Sequence, residues 1–239
     1  MSKILITIPA YNEETTIKDV VSRVRRSLPQ YDLTVINDGS RDKTADILKE
    51  MDIATVSHAC NLGYGRAVQT AIKYAARSGY DALVTLDADG QHHPEEMGAL
   101  IDNFETGNWD ILIGSRFIKT QNYSGSPLGR RFGMTLFSSL VYLATGEKIH
   151  DTTSGLKMIG SNAFEPLTQW HFVDFHAEAL VLLLRLGYRV GEFPITVSER
   201  QHGESMYDLL SHVKYPLKTA LMIGAAMIQA SVTKKGATR

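Results

Sequence analysis

Short apolar runs alternate with segments of helical periodicity through the first half of the chain. The apolar runs are rich in β-branched residues and predict strands at 3–8, 33–36, 53–56, 82–86 and 111–113. Between them, apolar residues recur at helical spacing and predict helices at 14–27, 43–51, 65–78 and 94–105. This alternation predicts an α/β fold, in which a mainly parallel sheet is flanked by helices on both faces.

The second half alternates less regularly. Residues 121–131 are rich in Gly, Ser, Pro and Arg and predict a mobile loop. Apolar helices are expected at 132–144 and 177–186, and strands at 151–159, after a turn, and at 189–197. This half therefore adds further strands and helices whose place in the sheet is open.

The C-terminal part has a different pattern. Residues 207–215 are amphipathic and are expected to end as a helix near Pro216. Residues 217–232 are almost wholly apolar and are flanked by lysines, a composition that suits a helix lying in the membrane interface. A helix docked on the domain or in an oligomer interface is the alternative. We therefore expect a catalytic domain over 1–205 and C-terminal amphipathic helices over 206–239.

Composition excludes several classes of protein. The 239 residues are 44% apolar and 21% charged, as in a soluble globular protein. The net charge of -1 gives no electrostatic case for nucleic-acid binding. A single cysteine, Cys60, excludes an internal disulfide framework and fits a reducing compartment. No stretch reaches the roughly 18 apolar residues of a membrane span.

Polar residues follow four consecutive predicted strands. They are Asn12-Glu13, Asn37-Asp38, Asn61 and the segment Asp87-Ala88-Asp89-Gly90-Gln91. Ligands of open α/β sheets bind beyond the carboxyl ends of the strands. The four positions therefore predict one ligand site.

The segment from Asp87 to Gln91 offers alternate oxygen donors at the exit of a buried strand. Mg²⁺ and Mn²⁺ prefer such oxygens and are commonly held by one or two carboxylates plus substrate phosphates. A simple turn is the alternative, because Asp and Gly are common turn formers. The metal interpretation predicts a substrate that carries a diphosphate.

Arginines in the second half supply the other candidate chemistry. Arg116 follows a predicted strand, Arg130 and Arg131 lie in the predicted loop, and Arg200 precedes a polar segment. An arginine fork matches phosphate oxygens, although each arginine alone is more typical of a solvated surface. The loop from Asn61 to Ala67 lacks the third glycine of a dinucleotide fingerprint, which disfavours a dehydrogenase.

Together these residues resemble a family 2 glycosyltransferase of the GT-A fold, in particular the dolichol-phosphate mannose synthase-like branch. The matching segments occur in the family's order: Pro9-Ala10-Tyr11-Asn12-Glu13, Asn37-Asp38-Gly39-Ser40, Asn61-x-Gly63-x-Gly65, Asp87-x-Asp89-Gly90-Gln91-His92, Gly114-Ser115-Arg116, Asp151-Thr152-Thr153-Ser154-Gly155 and Arg200-x-x-Gly203-x-Ser205. Two positions depart from the pattern: Asn37 stands where an acid is common, and His202 where some relatives have Arg.

The resemblance implies roles for individual residues. The nucleotide sugar would be held by residues of the first four strand ends: Pro9, Ala10, Tyr11, Glu13, Asp38, Asn61, Gly63, Asp87 and Ala88. Asp89 and Gln91 would bind Mg²⁺ or Mn²⁺, with Asp87 on the sugar and metal side. The catalytic phosphate contacts would come from Arg116, Arg131 and Arg200. The acceptor would meet Arg130, Arg131, Ser154, Gly155 and Ser205.

The resemblance also implies inverting transfer of a sugar from a UDP- or GDP-sugar to polyprenyl phosphate. Transfer to a saccharide hydroxyl is the alternative, and it would require a carboxylate base such as Asp151, Asp174 or Glu178. For Asp174 and Glu178 we favour capping of a helix N-terminus. A non-catalytic sugar-nucleotide-binding protein is a third hypothesis, disfavoured by the intact acids and arginines.

The expected partners follow from the lipid acceptor. We expect a cytoplasmic protein, peripheral at the inner face of the membrane, that meets a membrane surface or a membrane protein. A homo-oligomer is also open. The sugar and the base of the donor stay undetermined at this point.

Overall fold

The computed structural model describes residues 2–118, 128–170, 172, 174–198 and 211–237. For 128–134, 211–216 and 234–237 the description extends to the backbone alone.

The centre of the molecule is a seven-stranded sheet in the described part of the chain, in the order β3-β2-β1-β4-β6-β5-β7. The strands are β1 (Ile4–Ala10), β2 (Asp32–Asn37), β3 (Ala54–Ser57), β4 (Ala82–Thr85), β5 (Ile111–Ser115), β6 (Lys157–Gly160) and β7 (Val190–Pro194). Only β6 runs antiparallel to its neighbours, β4 and β5. The predicted mainly parallel α/β sheet is confirmed.

Helices cover both faces of this sheet. They are α1 (Ile17–Ser27), α2 (Thr44–Glu50), α3 (Tyr64–Arg77), α4 (Met97–Gly107), α5 (Leu128–Thr145), α6 (Phe164–Gln169), α7 (Ala177–Leu186) and α8 (Ser211–Ala237). Short 3₁₀ turns, Pro94–Glu96 and Ser161–Ala163, precede α4 and α6. Each helix predicted in the first half is present, within a few residues of its expected bounds.

Side chains of β1 alternate between two hydrophobic cores. Leu5 packs in a core with residues of α3, α5, α7 and α8. Ile4 and Ile6 point to the other face and pack in a core with residues of α1 and α4. Because successive side chains of a strand point to opposite faces, a strand buried on both faces is continuously apolar. This explains why the apolar runs marked the strands so clearly.

Two predictions about the second half were wrong. The segment 121–131 was expected to be a loop, but α5 begins at Leu128, and 121–127 lie outside the described residues. A helix was expected to end near Pro216, but α8 runs through it from Ser211 to Ala237. Pro216 lies in the second turn of α8, where a proline removes one backbone hydrogen bond. Packing of α8 against α7 and α5 offsets this cost.

The helix α8 is apolar on two opposite sides. One side is buried on the domain through Thr219, Ile223, Ala226 and Ala230. The other side exposes Leu217, Leu221, Ile228 and Val232 by 57–68%. Among the described residues, no helix combines the length and apolar character needed to cross a bilayer. The domain boundary at residue 205 stays a prediction, since 199–210 lie outside the description.

Candidate active site

The carboxylate of Asp87 lies just beyond the carboxyl end of β4, among side chains from distant parts of the chain. Tyr64, the first residue of α3, donates a hydrogen bond from its hydroxyl to Asp87. His92 Nε2 lies 3.6 Å from Asp87 Oδ2. Lys157 enters from β6, where it pairs with Thr85, two residues before Asp87. The side chain of Asp87 is 30% exposed, so a ligand can reach it.

These neighbours determine the charge of Asp87. Burial would raise the pKa of its carboxyl, but the contact with His92 and the charge of Lys157 outweigh burial and lower that pKa to about 2. Burial and the charge of Asp87 raise the pKa of Tyr64 well above its ordinary value, so the phenol keeps its proton. Asp87 is therefore an anion at neutral pH with a hydrogen-bond donor fixed beside it.

Two basic side chains, Lys157 and His176, lie near this carboxylate. Burial lowers the pKa of Lys157 to about 8, although Asp87 and Asp151 favour its charged form. Burial and the charge of Lys157 lower the pKa of His176 to about 3, so its imidazole is neutral. The His176 ring stacks on Tyr64 with 5.4 Å between ring centroids. Of these two side chains, Lys157 is the one that carries a positive charge at neutral pH.

Gly155 explains how Asp87 fits against the segment that precedes β6. A Cβ atom added to Gly155 would overlap the Asp87 carboxylate. Thr85 Oγ1 donates a 2.7 Å hydrogen bond to the carbonyl of Gly155 and holds the two segments together. The absence of a side chain at residue 155 therefore creates the space that the carboxylate occupies.

Asp89 and Gln91 are partly buried and belong to the same turn. Asp89 Oδ1 accepts a 3.0 Å hydrogen bond from the Gln91 backbone N–H, and Gly90 has a φ of 75°. Gln91 Nε2 donates to the backbone carbonyl of Ser198 at 3.3 Å. This hydrogen bond does not use the Oε1 atom of Gln91.

A divalent cation fits the chemistry of this turn. Within the described ranges, no three His, Cys, Asp or Glu side chains form a complete metal cluster. The oxygens of Asp89 and Gln91 are nevertheless the donors that Mg²⁺ and Mn²⁺ prefer. Such a cation also takes ligands from substrate phosphates. The donor set fits a metal shared with a diphosphate.

Arg116 is held by Asp151 at the carboxyl end of β5. Its Nε and Nη2 donate to the two oxygens of Asp151 at 2.7 and 2.8 Å, and Nη2 also donates to Thr153 at 3.0 Å. Burial would raise the pKa of Asp151, but the hydrogen bonds and charge of Arg116 hold it below its ordinary value. This two-pronged pair fixes the guanidinium near Lys157.

The ends of β1, β2 and β3 lie at the same edge of the sheet as the end of β4. We call the region along this edge the cleft. The loops after β1 and β2 are tied together, since Asn12 N donates to Ser40 Oγ at 3.0 Å and Glu13 N donates to Thr44 Oγ1 at 2.8 Å. Asp38 is 3% exposed and accepts hydrogen bonds from the backbone N–H groups of Leu62 and Gly63. Four successive strand ends thus converge, as predicted.

The profile of the Glycosyl transferase family 2 sequence family matches residues 5–168. The chain belongs to glycosyl transferase family 2. It is 31% identical over 212 residues to the polyprenol monophosphomannose synthase of Mycolicibacterium smegmatis, covering 84% of this chain and 79% of that one. It is 30% identical over 213 residues to a UDP-N-acetylglucosamine–dolichyl-phosphate N-acetylglucosaminyltransferase of Methanococcus voltae, covering 80% and 84%.

Solved structures agree on the GT-A fold. Glucosyl-3-phosphoglycerate synthase from Mycobacterium tuberculosis, in complex with Mn²⁺ and UDP-glucose, superimposes with a TM-score of 0.68 at 19% identity. The likeness covers 93% of this chain and 79% of that chain. The present chain is therefore a glycosyltransferase of the GT-A fold, as its motifs predicted.

Most predicted residues of this glycosyltransferase lie around the cleft. Ala10 is buried at the end of β1, whereas Tyr11 is 39% exposed beyond it. Glu13 Oε2 accepts a 2.9 Å hydrogen bond from Thr16, and Asn61 is exposed in the loop after β3. Pro9 and Ala88 are buried. Their contacts with a nucleotide sugar stay predictions.

Several predicted phosphate and acceptor contacts lie outside the description. Arg200 and Ser205 fall in an undescribed segment. Arg130 and Arg131 belong to the first turn of α5, where the side chains are not described. Their roles stay predictions.

Ser154 is a buried residue of the segment that precedes β6. The residue is 0% exposed, and its hydroxyl is hydrogen-bonded to the backbone of Leu156 at 3.2 and 3.3 Å. A side chain used in this way supports the turn before β6, and its acceptor role stays a prediction. Gly155, by contrast, lies against Asp87.

The three carboxylates considered as general bases have structural partners. Asp151 is paired with Arg116. Asp174 pairs with Lys218 of α8 at 2.8 Å, a partner that the sequence did not indicate. Glu178 accepts hydrogen bonds from the backbone N–H groups of residues 174–176 at the start of α7, which is the capping role that we favoured for it.

Sequence reasoning missed four side chains of this site: Tyr64, His58, Lys157 and His176. A signal existed for Lys157, because a lysine within an otherwise apolar predicted strand is unusual. Tyr64 directly follows the Asn61–Gly63 motif. Nothing in the spacing of His58 or His176 marked them.

Proposed function

We propose that this glycosyltransferase moves a sugar from a nucleotide-sugar donor to a polyprenyl phosphate, with inversion at the anomeric carbon. The observation that carries the proposal is the ionised Asp87 at the carboxyl end of β4, adjoining the oxygen donors of Asp89 and Gln91. The names of the relatives support the acceptor, since they are transferases to polyprenol, dolichyl or undecaprenyl phosphate.

The residues of the cleft divide the work of binding. The ends of β1 to β3 would hold the nucleoside, and Asp87 would orient the sugar. Tyr64 keeps the Asp87 carboxylate fixed, and His92 and Lys157 keep it ionised, so that it needs no rearrangement during reaction. Arg116, already fixed by Asp151, would face the phosphates. Placing two reactants in this way converts the encounter into a nearly unimolecular step.

The reaction itself requires little of the protein. A phosphate oxygen of the acceptor attacks the anomeric carbon from the side opposite the nucleoside diphosphate. The new carbon–oxygen bond forms as the bond to the diphosphate oxygen breaks, and the electron pair leaves with the diphosphate. A cation bound by Asp89 and Gln91 would supply Lewis-acid stabilisation of that leaving group.

The contacts of the acidic side chains favour a phosphate acceptor over a hydroxyl. A sugar hydroxyl must lose a proton to a base, whereas a phosphate monoester is already anionic at neutral pH. The candidate bases Asp151, Asp174 and Glu178 are engaged by Arg116, by Lys218 and by backbone N–H groups just before α7. The lowered pKa of Asp151 makes it a still weaker base.

A radiolabel assay tests the proposal. The purified protein is incubated with Mn²⁺, labelled UDP- or GDP-sugars and a polyprenyl phosphate, and the products are extracted into organic solvent. We expect label in the lipid, and a loss of at least about 100-fold in Asp89→Ala, as when charge stabilisation is removed elsewhere. Label that appears only in water-soluble oligosaccharide would contradict the lipid acceptor.

We further propose that the protein works at a membrane surface, through the outer side of α8. Four large apolar side chains are exposed there, opposite the side that docks on the domain. Residues 209–239 contain Lys214, Lys218, Lys234, Lys235 and Arg239 and no acidic residue. Exposed apolar surface beside basic charge suits an anionic lipid surface.

Vesicle sedimentation tests this second point. The double variant Leu221→Ser, Ile228→Ser should lose binding to phosphatidylglycerol vesicles and keep its activity on a short, water-dispersed polyprenyl phosphate. Phosphatidylcholine vesicles provide the control for charge. A variant that changes oligomeric state and not vesicle binding would instead assign this surface to self-association.

A further inference from the structure

A buried chain of side chains lies behind Asp38, on the nucleotide side of the cleft. His58 Nδ1 lies 2.6 Å from Asp38 Oδ1, and His58 Nε2 lies 2.9 Å from Thr70 Oγ1. The side chains of His58 and Asp38 are 10% and 4% exposed. His58 follows β3 and Thr70 lies within α3, so the chain connects two elements with the end of β2.

The hydrogen atoms in this chain can be assigned from its chemistry. An ionised carboxylate only accepts hydrogen bonds, so His58 Nδ1 carries the hydrogen and donates it to Asp38. His58 Nε2 and the Thr70 hydroxyl then form the second hydrogen bond. A ring held at both nitrogens has one orientation and cannot turn away from Asp38.

Within the described residues, the hydrogen bonds of Asp38 leave one acceptor site of its carboxylate unused. Oδ1 accepts from His58 and, at 2.9 Å, from the Leu62 N–H. Oδ2 accepts from the Gly63 N–H at 2.8 Å. A carboxylate has about four acceptor sites. Within the described part of the chain three of these sites are filled, and the fourth lies on Oδ2.

The surrounding backbone fixes the same carboxylate from the other side. The Asp38 N–H donates to the carbonyl of Ala10 at 2.8 Å, which ties the end of β2 to the end of β1. A Cβ atom on Gly39 would overlap the backbone of Cys60 and Asn61, so the loop after β3 packs directly on the turn after β2. Asp38 is therefore held by main chain and side chain together.

We propose that His58 and Thr70 are positioning residues for recognition of the nucleotide base, and this rests on the proposed function. They fix Asp38 so that Oδ2 accepts a hydrogen bond from a ring N–H of the base, as uracil and guanine offer. Neither residue touches the reacting atoms. Their effect is on base affinity and not on the sugar-transfer step.

Ligands with and without a base separate this role from a structural one. Calorimetry measures the binding of UDP, GDP and inorganic pyrophosphate, each with Mn²⁺, to the wild-type protein and its variants. Thr70→Val keeps the shape of the side chain and removes the hydroxyl, and Thr70→Ser restores it. His58→Phe removes both hydrogen bonds, and His58→Asn keeps a donor near Nδ1.

The nucleotide that the wild-type protein binds should bind Thr70→Val about 2- to 12-fold more weakly, the equivalent of one hydrogen bond. We expect a loss of about tenfold or more in His58→Phe, a smaller loss in His58→Asn, and wild-type affinity in Thr70→Ser. Pyrophosphate binding should not change. In steady-state assays KM for the donor should rise at constant kcat, because base binding is the same in ground and transition states.

Two results would overturn the inference. One is equal weakening of nucleotide and pyrophosphate, which would make the chain a general support of the fold. The other is unchanged nucleotide affinity in Thr70→Val and His58→Phe. Failure of the wild-type protein to bind any of the three ligands would instead refute the proposed function.

Discussion

At the residue scale, Gly155 matters because it has no side chain. A Cβ atom at residue 155 would overlap the Asp87 carboxylate and displace it. We expect Gly155→Ala to lower turnover about 100-fold, since a displacement of about 1 Å can cost that much. Folding, measured by circular dichroism and thermal unfolding, should persist.

The matched control is Gly98→Ala on α4, where nothing lies within 4 Å of the new Cβ. That variant should keep full activity. Its thermal unfolding temperature should stay the same or rise, because alanine is favoured over glycine in a helix by about 1 kcal/mol. Unchanged turnover in Gly155→Ala would show that Asp87 is not confined as described.

Lys157 predicts a pH dependence of stability. Its pKa is about 8 in the folded protein against 10.5 for a free lysine, so the unfolded state holds more protons between these values. Stability from this group therefore rises as pH increases from about 8 to 10.5, on the order of 3 kcal/mol in total. Urea denaturation measures the free energy of unfolding at each pH. Over that range it should rise in the wild-type protein relative to Lys157→Met. The same pH dependence in both proteins would contradict a buried charged lysine.

Residues near a strand end could be predicted from the sequence, but partners across the sheet could not. Asp87 and Asp38 stand out because polar groups interrupt apolar runs at ligand-binding ends. Lys157 meets Asp87 only because β6 inserts between β4 and β5, and no local pattern encodes that order. His58 and Thr70 likewise meet through the packing of β3 against α3.

At the element scale, α8 illustrates how packing overrides a local signal. Pro216 predicted a helix end, yet burial of one side of α8 on α7 and α5 sustains a continuous helix. The buried side contributes to stability, while the opposite side lies at the surface. The same helix therefore contains one half that belongs to the fold and one half that is free for other contacts.

Two isoleucines of α8 allow its buried and exposed sides to be compared. Ile223 is 5% exposed and Ile228 is 68% exposed. Ile223→Ala should lower the free energy of unfolding by about 2–5 kcal/mol, because it removes buried methyl groups and leaves a cavity. Ile228→Ala should change it by less than about 0.5 kcal/mol. Urea denaturation would detect the difference, and equal effects would show that α8 does not dock in this orientation.

At the scale of the whole molecule, the sheet brings segments spread between Ala10 and Ser198 to one edge. The parallel arrangement and its polar edge followed from the apolar alternation and from residues such as Asn37 and Asp87. The strand order did not, because pairing between distant strands depends on three-dimensional closure and leaves little trace in periodicity. The division into domains likewise stays a prediction.

A ligand that binds this cleft should stabilise the entire fold. At a concentration of 100 times its dissociation constant, a nucleotide sugar with Mn²⁺ would add about 2.7 kcal/mol. For a chain of this size that corresponds to a rise in Tm of roughly 5–10 °C. Thermal shifts with UDP- and GDP-sugars measure this, and Asp89→Ala should abolish the part that depends on Mn²⁺. A shift that is independent of metal in the wild-type protein would contradict the assigned metal site.

The reversed direction of β6 has a consequence for how such an enzyme diversifies. The chain leaves the sheet after β5, forms α5 and returns through β6, so its excursion over residues 116–156 begins and ends at the same edge as Asp87. On the proposed function, substitutions or insertions within that excursion would change what approaches the sugar while β1 to β4 keep their register. New acceptors can therefore evolve on this scaffold without rebuilding the part that reads the donor.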